Sequence, residues 1–181
     1  MEYYQIIILK DGRECVLRNG TEADGEAVLA NFVLTHGQTD YLLSYPDESS
    51  MTAEQEAAFL RAKTESENEI EIMAEVEGKT VGLAGISSLG NREKVRHRAD
   101  FGISVDKEYW GLGIGRALTD ACIECARKAG YVQLELTAVA ENEHALALYR
   151  SEGFIEYGRN PLGFRSRYTG WQEIVHMRLE L

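Results

Sequence analysis

Hydrophobic and polar residues alternate in short runs along much of the chain, which is the period of half-buried β-strands. Two of these runs, Tyr4 to Lys10 and Arg13 to Arg18, flank the dipeptide Asp11-Gly12. Because Asp-Gly favours the tight turn of a hairpin, the chain is predicted to begin with two paired strands. Later strands are predicted from Glu69 to Glu77, from Lys79 to Ile86, from Arg98 to Val105, from Tyr131 to Val139, from Phe154, and from Glu173 to Leu181.

Four other segments place apolar residues three or four positions apart, which is the spacing of one helix face. Thr52 and Gln55 match a capping box at the start of the second of them. No repeat and no Pro/Gly/Ser-rich linker interrupts the chain, so a single domain over residues 1–181 is predicted. The helical segments run from Asp24 to about His36, from Thr52 onward, from Ile114 to about Gly130, and from Asn142 to Gly153.

The strand from Glu69 to Glu77 has one apolar face and one acidic face. Two hypotheses explain the acidic face: it is a solvated surface that discourages edge pairing, or it is a source of negative potential that attracts a cationic substrate. The apolar positions are Ile70, Ile72, Ala74 and Val76, and the acidic ones are Glu69, Glu71, Glu75 and Glu77.

The overall charge narrows the choice of partners. The 181 residues include 19 Lys and Arg against 30 Asp and Glu, which gives a net charge of −11. An acidic surface repels the phosphates of nucleic acid. The expected partner is therefore an amine rather than a nucleic acid.

The apolar stretches and the cysteines indicate the compartment. No stretch approaches the ~20 apolar residues that a membrane-spanning helix needs, and the run Ile6 to Leu9 is too short for the core of an export signal. Cys15, Cys122 and Cys125 are an odd number, which suits reduced thiols better than disulfides. We therefore expect a cytoplasmic protein without membrane partners, in which Cys122 and Cys125 pack in the core rather than bind a metal.

The most informative segment joins the strand that ends at Val105 to the helix that follows it. Its glycines, Gly111, Gly113 and Gly115, remove side chains where the backbone turns into the helix, so free N–H groups and the positive end of the helix dipole face an anion. This arrangement is typical of a phosphate-binding site, and the alternative is a glycine-rich turn that serves only the fold. A dinucleotide fingerprint needs glycine three residues after Gly113, where this chain has Arg116, and the Gly-Lys-Ser/Thr of a nucleoside triphosphatase loop is absent.

Two motifs in the second half of the chain carry a family resemblance. Trp110 to Gly115 matches the loop Q/R-x-x-G-x-G/A, with Trp110 in place of Gln or Arg, a departure that affects only that side-chain contact. Glu141 to Phe154 matches N-x-x-A-x-x-L-Y-x-x-x-G-F. These motifs resemble those of the GNAT superfamily of N-acetyltransferases. The resemblance extends from about Glu69 to the C-terminus, and the N-terminal third is only loosely similar.

The resemblance implies a mixed α/β fold with a mostly antiparallel central sheet, flanked by helices, in which one parallel pair of strands splays apart to hold acetyl-CoA. Acetyl-CoA would be a co-substrate, with its pantetheine arm bonded to the backbone near Ile103, Ser104 and Val105, and no metal is implied. The other implied cofactor-binding residues are Trp110, Gly111, Leu112, Gly113, Ile114, Gly115, Arg116, Asn142, Ala145 and Tyr149.

Members of the family transfer the acetyl group directly to an amine, so the residues required are those that move protons. By resemblance, Tyr149 is the acid that protonates the departing thiolate, and an ordinary phenol pKa of about 10 lies close to the ~8.5 of a thiol. The alternative is that Tyr149 only packs beneath its helix. Asp100 is the implied base, and Glu75, Glu135 or a chain of water molecules are the alternatives.

The implied function is acetyl-CoA-dependent acetylation of a primary amine on a small molecule. Protein N-terminal or lysine acetylation, and acyl-CoA binding without turnover, are the alternatives, and Tyr149 favours an enzyme because a mere binder would not need it. By the same resemblance, the aromatic loops Tyr41 to Pro46 and Phe164 to Trp171 wall the acceptor site and narrow it toward small ligands. A homodimer is compatible with the sequence.

Overall fold

The computed structural model describes all residues, 1–181, as one eight-stranded sheet with four α-helices. The strands are β1 (Tyr4–Ile8), β2 (Glu14–Asn19), β3 (Ile70–Val76), β4 (Lys79–Ser88), β5 (Arg98–Val105), β6 (Gln133–Val139), β7 (Ile155–Ser166) and β8 (Gly170–Glu180). The helices are α1 (Gly25–Gln38), α2 (Ala53–Glu65), α3 (Ile114–Lys128) and α4 (Glu143–Ser151).

The strands lie in the order β1-β2-β3-β4-β5-β6-β8-β7, and every neighbouring pair is antiparallel except β5 and β6. These two are parallel because α3 carries the chain back across the sheet between them. They pair only from Arg98 and Gln133 to Asp100 and Glu135, and then separate. The predicted mixed sheet with one splayed parallel pair is therefore confirmed.

Helices cover both faces of the sheet. On one face, α3 and α4 close a core of 29 buried residues, which includes Cys122 and Cys125 as predicted. On the other face, α1 and α2 pack against β3 and β4. This smaller contact consists of Val28, Leu60, Met73 and Leu83.

Local sequence signals place the helix ends. The Gln55 N–H donates to Thr52 Oγ1 (3.3 Å), and the Thr52 N–H donates to Gln55 Oε1 (2.9 Å), so the predicted capping box opens α2. Gly130 follows α3 with a φ of +80°, a conformation that favours glycine. None of the helices combines the length and the apolar character needed to cross a membrane.

Most of the acidic face of β3 lies under the layer of α1 and α2, and only Glu77 at its end is exposed. Glu69 pairs with Lys63 of α2, with 3.0 Å between Oε2 and Nζ. Glu75 pairs with Arg18 of β2, with 2.7 Å between Oε2 and Nε. Met73 lies between them on the same face and is buried. The solvated-surface hypothesis is therefore wrong for Glu69, Glu71 and Glu75 and holds for Glu77. The alternating pattern does not reveal that a helix layer covers this face.

β7 and β8 pair almost to the tip of a long hairpin, where Ser166 faces Gly170. The segment Phe164 to Trp171, predicted as a loop, is therefore mostly strand. β8 likewise begins at Gly170 rather than at the predicted Glu173. Cross-strand pairing extends both strands past the point where the alternating pattern ends.

Candidate active site

A cleft of about 780 Å³ lies where β5 and β6 separate. On the face covered by α4 it is lined by Asn142, Ala145 and Tyr149. On the opposite face it is lined by the end of α1 and the following loop, through Thr39 and Tyr41. Because residues from both faces line it, the cleft opens through the sheet between the two strands.

Ile103, Ser104 and Val105 of β5 form one wall of this cleft. Beyond Asp100, β5 has no partner on its β6 side, so backbone groups along that edge can bond to a ligand. The Val105 carbonyl already accepts a hydrogen bond from the indole N–H of Trp110 (2.7 Å). Trp110 therefore closes the end of the strand, at the motif position where Gln or Arg is usual.

The glycine loop lies at the mouth of the cleft. Gly111 and Gly113 have φ values of +78° and +105°, which other residues rarely adopt. Gly113 is the N-cap of α3, so the N–H groups of the first turn have no partner within the helix. A Cβ at either glycine would meet nothing within 4 Å. The loop thus presents unpaired donors and open space, which suit a phosphate.

The side chains of the same loop point elsewhere. Ile114 is buried in the core, and Leu112 packs against that core. Arg116 donates to Glu152 and to Ser151 Oγ (2.9 Å) near the end of α4. Leu112, Ile114 and Arg116 are predicted to bind the cofactor. Because their side chains contact other parts of the protein, only their backbone groups remain for a ligand.

Asn142 and Ala145 lie together at the start of α4. Asn142 Oδ1 accepts a hydrogen bond from the Ala145 N–H (3.3 Å), and both residues line the cleft. His144 and Thr35 also line it, although no sequence pattern marks them. A lone histidine and a lone threonine carry no spacing signal, so only the fold reveals their position.

Tyr149 lies on the core side of the split. Its ring packs against Phe101 (6.2 Å between centroids) and Phe154 (5.9 Å). Burial raises the pKa of the phenol to about 12. The expectation of an ordinary phenol pKa is therefore wrong, because the cleft wall removes water from the hydroxyl. Tyr149 keeps its proton throughout the physiological range.

Of the three carboxylates predicted as bases, only Asp100 has no hydrogen-bond partner. Loss of hydration beside the strands, together with the nearby charge of Glu135, raises the pKa of Asp100. Glu135 accepts two hydrogen bonds from Arg98, one of them 2.8 Å long, and these lower its pKa. Glu75 is bound by Arg18. No group of three or more His, Cys, Asp or Glu side chains is placed to hold a metal ion.

Asp40 connects the loop after α1 to the β7–β8 hairpin. This contact borders a second cavity of about 480 Å³, and Leu42 lines both this cavity and the cleft. The two aromatic segments therefore meet in one wall. The side-chain donors to the Asp40 carboxylate are Tyr45 Oη (2.9 Å), Ser166 Oγ (2.5 Å), Gln172 Nε2 (3.2 Å) and Thr169 Oγ1 (3.4 Å).

Known proteins resemble this chain in sequence and in fold. The sequence model of the Acetyltransferase (GNAT) family matches residues 35–154. The crystal structure of the acetyltransferase of GNAT family from Streptococcus pneumoniae has a TM-score of 0.88 and 27% identity, and the match covers 92% of this chain and 99% of that one.

Two curated relatives differ in the acceptor that their names describe. The N-alpha-acetyltransferase RimI of Mycobacterium tuberculosis is 43% identical over 91 residues, which are 50% of this chain and 52% of that protein. The L-amino acid N-acyltransferase MnaT of Escherichia coli is 23% identical over 141 residues, which are 78% of this chain and 81% of that protein. The match thus spans about half the length of RimI.

Proposed function

Because the chain belongs to the GNAT acetyltransferase family, we propose that it transfers the acetyl group of acetyl-CoA to the primary amine of a small molecule. The cleft through the sheet carries this proposal. It has a phosphate cradle at one mouth and a closed, partly aromatic wall at the other. Acetyl transfer needs two ligands that meet from opposite sides, and the cleft offers both approaches.

The residues on the cofactor side fit acetyl-CoA. The N–H groups that follow Gly113 would bind the pyrophosphate at the positive end of α3. The unpaired edge of β5 at Ile103 and Ser104 would bond to the pantetheine amides as an added strand. Asn142 would flank the same arm from α4. When bound, acetyl-CoA supplies an activated thioester carbonyl to the amine.

Proton transfer is divided between the two faces of the sheet. Successive residues of a strand face opposite sides, so Asp100 lies on the acceptor face while Phe101 packs against Tyr149 on the core face. We assign Tyr149 the proton that the departing thiolate takes. The burial that raises the pKa of the phenol also raises the pKa of a thiol in the same cleft, because it disfavours both anions. The difference between the two pKa values therefore changes less than the phenol pKa itself.

The wall connected by Asp40 supports a small acceptor. It ties the loop after α1 to the hairpin, and a half-open cavity of about 480 Å³ lies beside this contact. Among the relatives, the name of MnaT describes an acyltransferase of L-amino acids, whereas that of RimI describes an N-alpha-acetyltransferase. The small size of this cavity favours the first type of acceptor.

A panel of amines tests the proposal. CoA release from acetyl-CoA is measured with free amino acids, diamines and short peptides with a free N-terminus. We expect at least one small amine to exceed every peptide in kcat/KM by about tenfold or more. A preference for peptides would refute the small acceptor, and acetyl-CoA binding without CoA release for any amine would indicate a binding module.

A further inference from the structure

A row of residues across the sheet connects Glu71 to the split between β5 and β6. Glu71 on β3 pairs with Gly85 on β4, and Gly85 pairs with Gly102 on β5. Gly102 lies just beyond Asp100, the last residue of β5 that pairs with β6. The row therefore starts at a carboxylate and ends at Gly102, next to Ile103, the first residue of β5 that lines the cleft.

Neither glycine of this row obstructs the space between the carboxylate and the cleft. The side chain of Glu71 leans over Gly85, with Oε2 2.1 Å from the position that a Cβ on Gly85 would occupy. A Cβ on Gly102 would meet nothing within 4 Å. The carboxylate is thus about one strand spacing, ~4.8 Å, from the open space above Gly102. The pairs Leu83/Ser104 and Ser87/Asp100 flank this gap.

The side chain of Glu71 is partly buried, and its carboxylate has no hydrogen-bond partner in the protein. The ammonium group of Lys63 instead donates hydrogen bonds to the Glu69 carboxylate (3.0 Å), to Ser87 Oγ (2.6 Å) and to a backbone carbonyl. Burial raises the pKa of Glu71 to about 7. The positive charge of Lys63 lowers this pKa, and the negative charge of Glu56 raises it by a smaller amount. Asp100 on β5, which pairs with Ser87, is a further charged group beside the gap, in addition to Lys63 and Glu56 of α2. The buried residues of α1, Gly25, Val28, Asn31 and Thr35, are all neutral.

We propose that Glu71 is the base that takes the proton of the acceptor ammonium group across the gap above Gly85 and Gly102. The inference rests on the proposed acetyl transfer. An ammonium group above Gly102 lies within reach of the carboxylate through one bridging water. The alternating sequence pattern places Glu71 only among the acidic residues of β3, so this role depends on the two glycines that face it.

The protons balance over one turnover. The ammonium group loses a proton through the water to the Glu71 carboxylate and becomes a neutral amine. Its lone pair forms the C–N bond as the C–S bond breaks, and the thiolate takes a proton from the Tyr149 hydroxyl. The nitrogen loses its second proton, which restores Tyr149. Glu71 then releases the first proton to water, so one proton leaves for each acetyl group transferred.

Glu71→Gln removes the base without changing the size of the side chain. A neutral amide suits a partly buried position, so Tm and acetyl-CoA affinity should stay close to those of the wild type. With a small amine that the wild type accepts, kcat/KM at neutral pH should fall by about 10² or more. Glu77→Gln, at the exposed end of the same acidic face, is the matched control and should keep wild-type kinetics.

The pH profile separates a base from a residue that only supports the fold. Wild-type kcat/KM should fall below about pH 7, where Glu71 becomes protonated. This limb should keep its position when acceptors of different amine pKa are compared, whereas a limb due to the amine would move with it. The limb should be absent in Glu71→Gln.

Gly102→Ala provides an independent variant if Glu71→Gln fails to fold. The methyl group meets no protein atom but occupies the gap, so kcat/KM should fall while Tm and acetyl-CoA affinity stay unchanged. Near-normal activity of Glu71→Gln with its acid limb intact would overturn the inference. Loss of the limb in Asp100→Asn alone would assign the base to Asp100. A wild type that releases no CoA with any amine would refute the transfer itself, and the base with it.

Discussion

Replacing Gly113 by Val tests whether the loop before α3 is the phosphate cradle, and Gly130→Val is its matched control. The two glycines have φ values of +105° and +80°, and at neither would a Cβ meet an atom within 4 Å. Both substitutions therefore introduce strain of about 1–2 kcal/mol without a clash at Cβ. They differ in position, because Gly113 precedes α3 and Gly130 follows it, and at 1.5 Å per residue the two are about 25 Å apart.

The strain and the ligand effect are separable in one melting experiment. For a chain of this length, a loss of about 2 kcal/mol lowers Tm by about 4–8 °C in both variants. Acetyl-CoA at about 100 times its Kd stabilises the folded state by about 2.7 kcal/mol, which raises Tm by about 5–11 °C. Gly130→Val should show this increase in full. Gly113→Val should show none, because the branched side chain fills the space in front of the N–H groups.

Thermal melts with and without acetyl-CoA measure both quantities, and NAD and ATP serve as ligand controls that should leave the wild-type Tm unchanged. A full increase in Gly113→Val would refute the location of the cradle. If acetyl-CoA failed to raise Tm in both variants, the loss would be due to strain in α3 rather than to a blocked site. Equal increases with all three ligands would refute the selectivity for acetyl-CoA.

Three further predictions concern the acid, the acceptor wall and an ion pair. Tyr149→Phe keeps the packed ring and removes only the hydroxyl, so kcat should fall by about 10²–10⁴-fold while acetyl-CoA affinity stays unchanged. Because the phenol pKa is about 12, the limbs of the pH profile should stay in place. A near-normal kcat would make Tyr149 a packing residue. Asp40→Asn should raise KM for the acceptor and leave acetyl-CoA affinity unchanged. Asp47→Asn, which alters only a surface pair with Arg167, is the control. An equal rise in KM in this control would contradict the role of the wall. Arg18 holds the pKa of Asp24 at about 2, so this pair stabilises the fold above the ordinary Asp pKa of about 3.9 and stops doing so as pH falls through about 2. Asp24→Asn should remove up to about 1 kcal/mol of this pH dependence of the unfolding free energy, measured in denaturant titrations. An unchanged acid dependence in this variant would contradict the prediction.

Features that neighbouring residues encode were predictable from the sequence. The capping box of Thr52 and Gln55 needs only two residues three apart, and it opens α2 as predicted. The turn into α3 needs glycine where φ is positive, and Gly111 and Gly113 supply it. The parallel pairing of β5 with β6 follows because a helix connects two successive strands.

Features that depend on distant residues were not predictable. Asp40 contacts Ser166 and Gln172, which are 126 and 132 residues away, so no local pattern could identify the wall that they form. The setting of Glu71 depends on packing by α2 and on glycines of two other strands. The pKa of Tyr149 depends on how much of the phenol the cleft wall covers. Each of these properties is set by tertiary packing, which hydrophobic periodicity does not report.

Burial acts in the same direction on Tyr149 and Glu71, yet it prepares them for opposite roles. Removing water disfavours the anion of each, and the pKa values rise to about 12 and about 7. A phenol with the higher value keeps its proton until the departing thiolate, whose own pKa is also raised by burial, forms beside it. A carboxylate with the lower value is matched to neutral pH, where it can both accept a proton from an ammonium group and release it to water. The split sheet holds these groups on opposite faces, so in the proposed mechanism the acid meets the thiolate and the base meets the amine without competing for one position.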